Sequence, residues 1–482
     1  MNVRSGSDLE MDMPGEAERA FLERFPAYKQ TSLLDDLRRT DYERLDRQGH
    51  VYLDFTGGGL YSSEQLRQHM ELLQESVLGN PHSSNPTSAL ATALVGRARE
   101  SILAFFNARP EEYAVVLTQN ATGALKLVGE AYPFDASARL LLAFDNHNSV
   151  LGIREYARAG GAEVSYAPLV LPEMRLDAAF MSNVLHANSG ESHKLFAFPA
   201  QSNFSGVQHD LEWIGVAQKN GWDVLLDAAS FAPTNRLDLA LVKPDFVAVS
   251  FYKIFGYPTG AGCLIAKKTA LSKLRRPWFS GGTIAVASVR NDRHRLQEGA
   301  EAFEDGTVNY LAAPAVQIGL GYIEKIGYAV IHSRVDVLTG WLLQQLTAMR
   351  HQNGLPVVRI YGPVTMQSRG GTVALNFFDL DGVFVDHRAI EALANRAKIS
   401  LRTGSFCNPG GGESALGIFD QELSACSPQS SASPTMDDFR KIISDKSTGA
   451  VRISIGLVSN FADVYAFACF ARNLVDKRVA EL

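Results

Sequence analysis

The stretch over residues 224–268, VLLDAASFAPTNRLDLALVKPDFVAVSFYKIFGYPTGAGCLIAKK, constrains the fold more than any other part of the chain. It opens with Val224, Leu225 and Leu226 and runs into Asp227. A short apolar run bounded by polar residues is the pattern of a strand buried on both faces, as in a parallel sheet. A second run, FVAVS, ends at Ser250 and is followed closely by Lys253. A turn holding Gly256, Pro258, Gly260 and Gly262 then leads into a third run, CLIA. One acid and one lysine therefore stand just beyond the ends of two neighbouring strands. In open α/β sheets that edge is where ligands bind.

A lysine at such an edge can condense with an aldehyde. Pyridoxal phosphate sites pair a lysine of this kind with an acid at the pyridinium nitrogen, which keeps the ring able to accept electrons from a substrate carbanion. The same two residues also read as a solvated loop lysine and a helix-capping aspartate, and spacing alone leaves both readings open. The motifs D-A-A-S and S-F-Y-K-I-F-G-Y-P-T-G-A-G go further. They resemble the class V aminotransferase and cysteine desulfurase superfamily, closest to the amino-terminal domain of molybdenum cofactor sulfurases. Separated motifs in family order extend the resemblance from about Tyr52 to about Asn460. It implies an α/β chain of the pyridoxal-phosphate-dependent transferase fold type I. A large domain on a mainly parallel seven-stranded sheet is expected over 61–326, and a smaller α+β domain with the cysteine loop over 327–482. Residues 1–60 are expected to pack with the small domain.

Bulk properties agree with a two-lobed globular enzyme, since 482 residues exceed one ordinary core. A net charge of −6 gives no general attraction to nucleic acid or an anionic membrane. No apolar run is long enough to span a bilayer. The start, MNVRSGSDLEMDMPGEAERA, is polar and acidic, unlike a signal peptide. Cys263, Cys407, Cys426 and Cys469 are widely separated and form no CxxC pair, so no metal site is expected. A cytoplasmic enzyme with reduced thiols fits these features.

Along the chain, residues 1–15 are expected to be disordered and 16–46 helical. A short strand, VYLDF, runs into Thr56-Gly57-Gly58-Gly59, where the backbone must turn sharply or approach something closely. Helices are expected over 63–78 and 87–106. Between them lies G-N-P-H-S, where Pro81 forbids helix continuation. His82 alone is a loop histidine; the resemblance makes it a neighbour of the substrate. A strand over 113–117 ends in T-Q-N-A-T-G ahead of a helix over 124–131. A strand, a small-residue turn and a helix N-terminus make an anion site, or simply a capped helix. The resemblance assigns Asn120, Ala121 and Thr122 to the cofactor phosphate, Thr122 through its hydroxyl.

The next strand, over 140–144, precedes D-N-H-N-S-V. His147 alone reads as a surface-loop residue. It matches the histidine that stacks on the ring in the resembling family, and imidazole titrates where proton transfer is useful. Strands over 163–166 and 194–198 follow, then Q-S-N-F-S-G. The resemblance sets Asn203 over the ring, in contact with the substrate carboxylate or the cofactor O3′, where an amide donates without adding charge. Ser230 stands where many desulfurases carry a glutamine, and Ser250 at a phosphate-binding position. Tyr252 replaces the histidine that many desulfurases carry before the lysine. Two glycine motifs, W-F-S-G-G-T and F-E-D-G-T-V-N, come next. In the resembling family the threonine of the second closes the phosphate site of the other subunit, so Thr307 implies a homodimer with shared active sites. From about Gly327 the pattern becomes α+β, a Ser/Pro-rich segment over 425–436 reads as a mobile insertion, and strand alternation sets Arg452 opposite Val451 and Ile453.

The second decisive stretch is L-R-T-G-S-F-C-N-P-G-G-G over 401–412. Asn-Pro and three glycines after Cys407 predict a flexible, exposed loop from which a thiol can reach a ligand and then a partner. R-T-G-x-x-C is the persulfide-cysteine motif of the resembling desulfurases, although the glycine run departs from the usual sulfurase continuation. The resemblance implies conversion of L-cysteine to L-alanine. Lys253 moves the Cα proton, and Arg452 binds the substrate carboxylate in a bidentate match. Arg402 orients the cysteine loop or helps bind the carboxylate. Cys407, as thiolate, attacks the substrate sulfur, and its persulfide passes to an acceptor protein or small molecule. A C–S lyase, aminotransferase or epimerase of the same fold would not need Cys407. A non-catalytic sulfur carrier or scaffold would not need Lys253, Asp227, His147 and Arg452. Eukaryotic sulfurases carry a further carboxy-terminal cofactor-binding domain, which is expected to be absent because the chain stops soon after Asn460.

Overall fold

A computed structural model of the chain describes residues 14–187, 192–418 and 447–482. The expected insertion over 425–436, Cys426 and most of the expected disordered start lie outside the described residues.

Seven strands form the main sheet. They are β1 (Tyr113–Thr118), β2 (Arg139–Ala143), β3 (Glu163–Ala167), β4 (Lys194–Pro199), β5 (Asp223–Asp227), β6 (Phe246–Ser250) and β7 (Gly262–Lys267). Their spatial order is β1-β7-β6-β5-β4-β2-β3. Only the pairings of β7, with β1 and β6, are antiparallel. The expected mainly parallel sheet is therefore present. β5 and β6 are parallel neighbours with Asp227 opposite Ala248, so the acid and the lysine turn leave the sheet at one edge.

The central strands are apolar throughout because both faces are covered. Leu141, Phe196, Val224 and Val247 join one core with Ile102, Phe105, Val316 and Leu320 of the helices Pro86–Phe105 and Ala313–Ile326. Leu140, Leu142, Leu225 and Ala248 join the other with Leu125 and Val128 of the helix Ala121–Ala131. This two-residue alternation is strand geometry.

A second sheet is antiparallel, ordered β8-β9-β11-β10, from β8 (Val358–Tyr361), β9 (Thr372–Phe377), β10 (Arg402–Gly404) and β11 (Ala450–Ser454). Its core includes Val451 and Ile453, packed with the helices Tyr328–Ala348 and Phe461–Arg472. Arg452 points to the other side, as the alternation predicts, and is buried there.

The expected helical segment over 16–46 is broken into Pro14–Arg24, a 3₁₀ turn Pro26–Thr31, Leu33–Asp41 and Arg44–Gln48. Pro26 cannot supply a helical N–H, and its ring crowds the preceding turn. The segment bridges both cores: Phe21 and Tyr28 enter that of the smaller sheet, Leu34 and Tyr42 that of the larger. Buried Arg334 ties it down through Thr31 Oγ1 (2.7 Å) and both Asp35 oxygens (2.8 and 2.7 Å). Among the described residues, no helix is long and apolar enough to cross a membrane.

Candidate active site

The edge beyond β5 and β6 is a cavity. Asp227 is buried there, its Oδ1 accepting from Ala229 N at 2.9 Å. Ser250 begins the helical turn Phe251–Phe255 that carries Tyr252 and Lys253. Burial pushes the Lys253 ammonium below its ordinary pKa, against the pull of Asp227, and burial raises the Tyr252 phenol. The Thr56–Gly59 turn lies on this element: Gly59 N donates to Tyr252 O at 3.0 Å, and a Cβ on Gly59 would stand 2.9 Å from Lys253 O. Close approach, rather than a tight turn alone, is the reason for glycine there.

The other wall is the start of the helix Ala121–Ala131. Asn120 caps it, Oδ1 accepting from Gly123 N at 2.9 Å, and Ala121 N donates to Ser250 Oγ at 2.8 Å. Two backbone donors of this helix start are thus satisfied by side chains. The remaining capacity for an anion is the Thr122 hydroxyl, 2.8 Å from Ser149 Oγ, together with the positive end of the helix. β7 passes so closely beneath that a Cβ on Gly262 would sit 2.5 Å from Asn120 Cα.

His147 caps a short helix, Asn148–Leu151, with Nδ1 accepting from Ser149 N at 3.1 Å. An accepting Nδ1 places the proton on Nε2 and makes the ring neutral. Burial acts the same way, holding the pKa below its ordinary value; Lys253 and Arg452 add to this and Asp227 opposes it.

Ten expected residues line this single cavity. Asn120, Ala121, Thr122 and Ser250 stand at the helix end, and His147, Asn203, Asp227, Ser230, Tyr252 and Lys253 complete the lining. Ser149 and Gln201, which the sequence did not single out, line it too.

Arg452 adjoins the cavity through Asn203, whose carbonyl accepts from Nη1 at 3.0 Å. Its pKa is pushed down by burial, whereas Arg402, hydrogen-bonded to Asp54, is pushed up. The cysteine segment is fastened beside them. Phe406 and Cys407 both take positive φ, 56° and 55°, a sparsely populated region for such residues. Asn148 N donates to Cys407 O at 2.7 Å, and Asn203 Nδ2 to Phe406 O at 2.8 Å. Asn408, fully buried, donates to Asp145 O at 2.7 Å and Asn203 Oδ1 at 2.9 Å. Cys407 itself is exposed.

The expected flexible glycine loop is corrected here. Pro409–Leu416 is a helix, and Gly410, Gly411 and Gly412 are buried in its first turns. A Cβ on Gly410 would stand 1.9 Å from Phe144 O, so glycine serves close packing.

His82 and Thr307 are not brought to the Lys253 cavity of this chain. His82 is exposed and lines a separate hollow with Arg99 and Gly306. Thr307 Oγ1 accepts from Asn80 Nδ2 at 3.4 Å. Its loop is anchored by buried Glu304, which accepts from Leu117 N at 2.8 Å and Arg99 Nη2 at 2.6 Å.

The family model described as aminotransferase class-V matches residues 51–467. The chain belongs to the aminotransferase class-V family. Among curated relatives, molybdenum cofactor sulfurase of Solanum lycopersicum is 36% identical over 497 residues, covering 96% of this chain and 60% of the relative. That of Homo sapiens is 36% identical over 467 residues, covering 92% of this chain and 51% of the relative. The chain thus spans about half to three-fifths of the length of these relatives. A solved cysteine desulfurase from Thermococcus onnurineus shares the fold, with a TM-score of 0.74 at 23% identity over 92% of this chain and 98% of that one.

Pyridoxal phosphate fits the residues of this class-V site. A helix N-terminus with hydroxyls suits its phosphate, the acid at the end of β5 its ring nitrogen, and the buried amine its aldehyde. Several participants escaped the sequence reading: Asp54, Asn408, Gln201, Ser149 and Glu304. Asp54 had a usable signal, an acid in the short strand VYLDF that runs into the glycine turn Thr56–Gly59. Asn408, Gln201 and Glu304 are polar residues whose contacts are with distant segments, whereas Ser149 bonds His147 two residues away and carries no motif of its own.

Proposed function

We propose that the chain is a pyridoxal-phosphate-dependent cysteine desulfurase, a sulfurtransferase converting L-cysteine to L-alanine and retaining the sulfur as a persulfide on Cys407. The observation that carries this reading is the seating of an exposed cysteine. Its segment is bonded on one side to Asn148, next to His147, and on the other to Asn203 of the lysine–aspartate cavity.

Pyridoxal phosphate, when bound, supplies an electron sink for charge developing at the substrate Cα. Thr122, Ser250 and the helix end would hold its phosphate, Asp227 its ring nitrogen, His147 a ring face, and Ser230 and Tyr252 the adjoining polar edge. Lys253 takes the Cα proton, for which its lowered pKa suits it. Arg452 binds the substrate carboxylate with Asn203 beside it, and Arg402 supports the cysteine segment. Cys407 Sγ, as thiolate, bonds to the substrate sulfur while that sulfur's bond to Cβ breaks. The electron pair remains on the carbon skeleton, which takes up a proton at Cβ, regains at Cα the proton held by Lys253, and leaves as alanine. The enzyme thiol and L-cysteine together thus give a persulfide and alanine, with no outside oxidant.

The proposal extends to the organisation of the chain. The chain divides into 1–60, 61–326 and 327–482, and it acts in the cytoplasm. It works as a homodimer in which Thr307 completes the neighbouring subunit's site; its absence from the lining of this chain's own Lys253 cavity supports that. The persulfide passes to an acceptor protein or small molecule.

The test is single-turnover reaction with L-cysteine, wild type against Cys407→Ala, following alanine, sulfide and protein-bound persulfide. Alanine plus a persulfide that vanishes in the variant is expected. Pyruvate or a keto acid formed equally by both proteins would instead assign lyase or aminotransferase chemistry.

A further inference from the structure

Arg402 and Arg452 stand directly opposite each other on β10 and β11. Like charges at opposed strand positions repel, and a buried cation needs a partner. Asp54, from a third segment, faces both. Its Oδ1 accepts from Arg452 Nη2 at 3.0 Å and Arg402 Nε at 3.2 Å. Its Oδ2 accepts from Arg402 Nη2 at 2.6 Å and Nε at 3.1 Å. Glycine at position 57 makes room for this ion pair: a Cβ there would lie 2.4 Å from Asp54 Oδ2 and 2.5 Å from Arg402 Nη2. The corner therefore holds two guanidinium groups and one carboxylate, a net single positive charge. Buried Arg452 Nε lacks a hydrogen-bond partner among the described residues, so donor capacity remains.

We infer that Asp54 is a positioning and specificity residue. By cancelling one of the two arginine charges, it makes the corner accept a substrate with one carboxylate and reject one with two. A first carboxylate brings the corner to neutrality. A second would place an uncompensated charge beside buried Arg452 and Asp54, which costs more than the added contact returns. The inference rests on the proposed reading that Arg452 receives the substrate carboxylate.

The test uses ligands without an amino group: 3-mercaptopropionate, with one carboxylate, and mercaptosuccinate, with two. Both are titrated calorimetrically into the cofactor-loaded wild type and Asp54→Asn. The wild type is expected to favour the monocarboxylate. In Asp54→Asn the ratio of the two Kd values should move toward the dicarboxylate by about tenfold or more. A merely structural Asp54 would weaken both ligands together and leave the ratio unchanged, which overturns the inference. Should Asp54→Asn not fold, Arg402→Gln carries the test, because that side chain is half exposed. It brings the corner to zero charge and should weaken the monocarboxylate about tenfold; unchanged affinity overturns the inference. Failure of the desulfurase reading shows separately, as no alanine or persulfide from L-cysteine, and leaves the ligand ratio intact.

Discussion

The lysine end and the arginine–cysteine end of the site handle charge in opposite ways. Lys253 has no ion pair among the described residues, and burial holds its amine toward the neutral form. Arg452 is more deeply buried yet stays paired, through Asp54 and the Asn203 carbonyl. The first end keeps a group uncomfortable so that it can accept a proton; the second keeps its charges satisfied so that they hold still. Reactivity and positioning ask for different environments, and the edge of the larger sheet and the paired strands β10 and β11 of the smaller one supply them separately.

The sharpest way to break the comparison is to take the charge out of each end. Lys253→Met keeps most of the side-chain volume and removes the amine. Alanine formation in single turnover should fall by roughly 10²–10⁴, the range for a lost proton-transfer group. Denaturant unfolding of the cofactor-free variant should show higher stability near neutral pH, since a desolvated amine is gone. Asp54→Asn at the other end should lose stability, because it strands buried Arg452. A Lys253→Met protein less stable than wild type would show that the two ends do not differ in this way.

The two ends also differ in how far the sequence disclosed them. Asp227, Lys253 and the Asn120–Thr122 turn lie at the ends of strands that hydrophobic runs make visible, so local pattern and chemistry coincide. The sheet was legible for the same reason: buried parallel strands need apolar residues on both faces. Asp54 meets Arg452 across 398 positions of sequence and Asn408 meets Asn203 across 205. No local spacing encodes such contacts. The glycines after Cys407 misled because glycine permits both a mobile loop and a close helix approach, and only the position of Phe144 decides which.

That glycine run sharpens the comparison with smaller effects of opposite sign. Gly410→Ala would drive a Cβ to 1.9 Å from Phe144 O, backbone that cannot step aside. It should cost about 1–3 kcal/mol in denaturant unfolding and disturb the segment fastening Cys407. Gly412→Ala, in the same helix, meets nothing closer than 3.9 Å. It should stabilise by up to about 1 kcal/mol, because alanine is the better helix former. Equal effects from the two would mean that the helix is not packed on Phe144.

The smallest expected effect concerns His147, which stands between the two ends. Burial, with Lys253 and Arg452, lowers its pKa in the folded protein from the usual 6.5. The unfolded chain therefore binds its proton first as pH falls. The stability tied to the neutral ring is fully present above about 6.5 and is lost as pH drops from there toward the folded value. One proton limits the slope to about 1.4 kcal/mol per pH unit. Denaturant unfolding of cofactor-free protein from neutral pH downward should show this loss in the wild type and a flatter profile in His147→Gln. Lys253→Met should reduce the loss as well, since removing a neighbouring cation eases protonation of the ring. If the slope survives His147→Gln, the titrating group lies elsewhere, and His147 does not feel the charges of both ends.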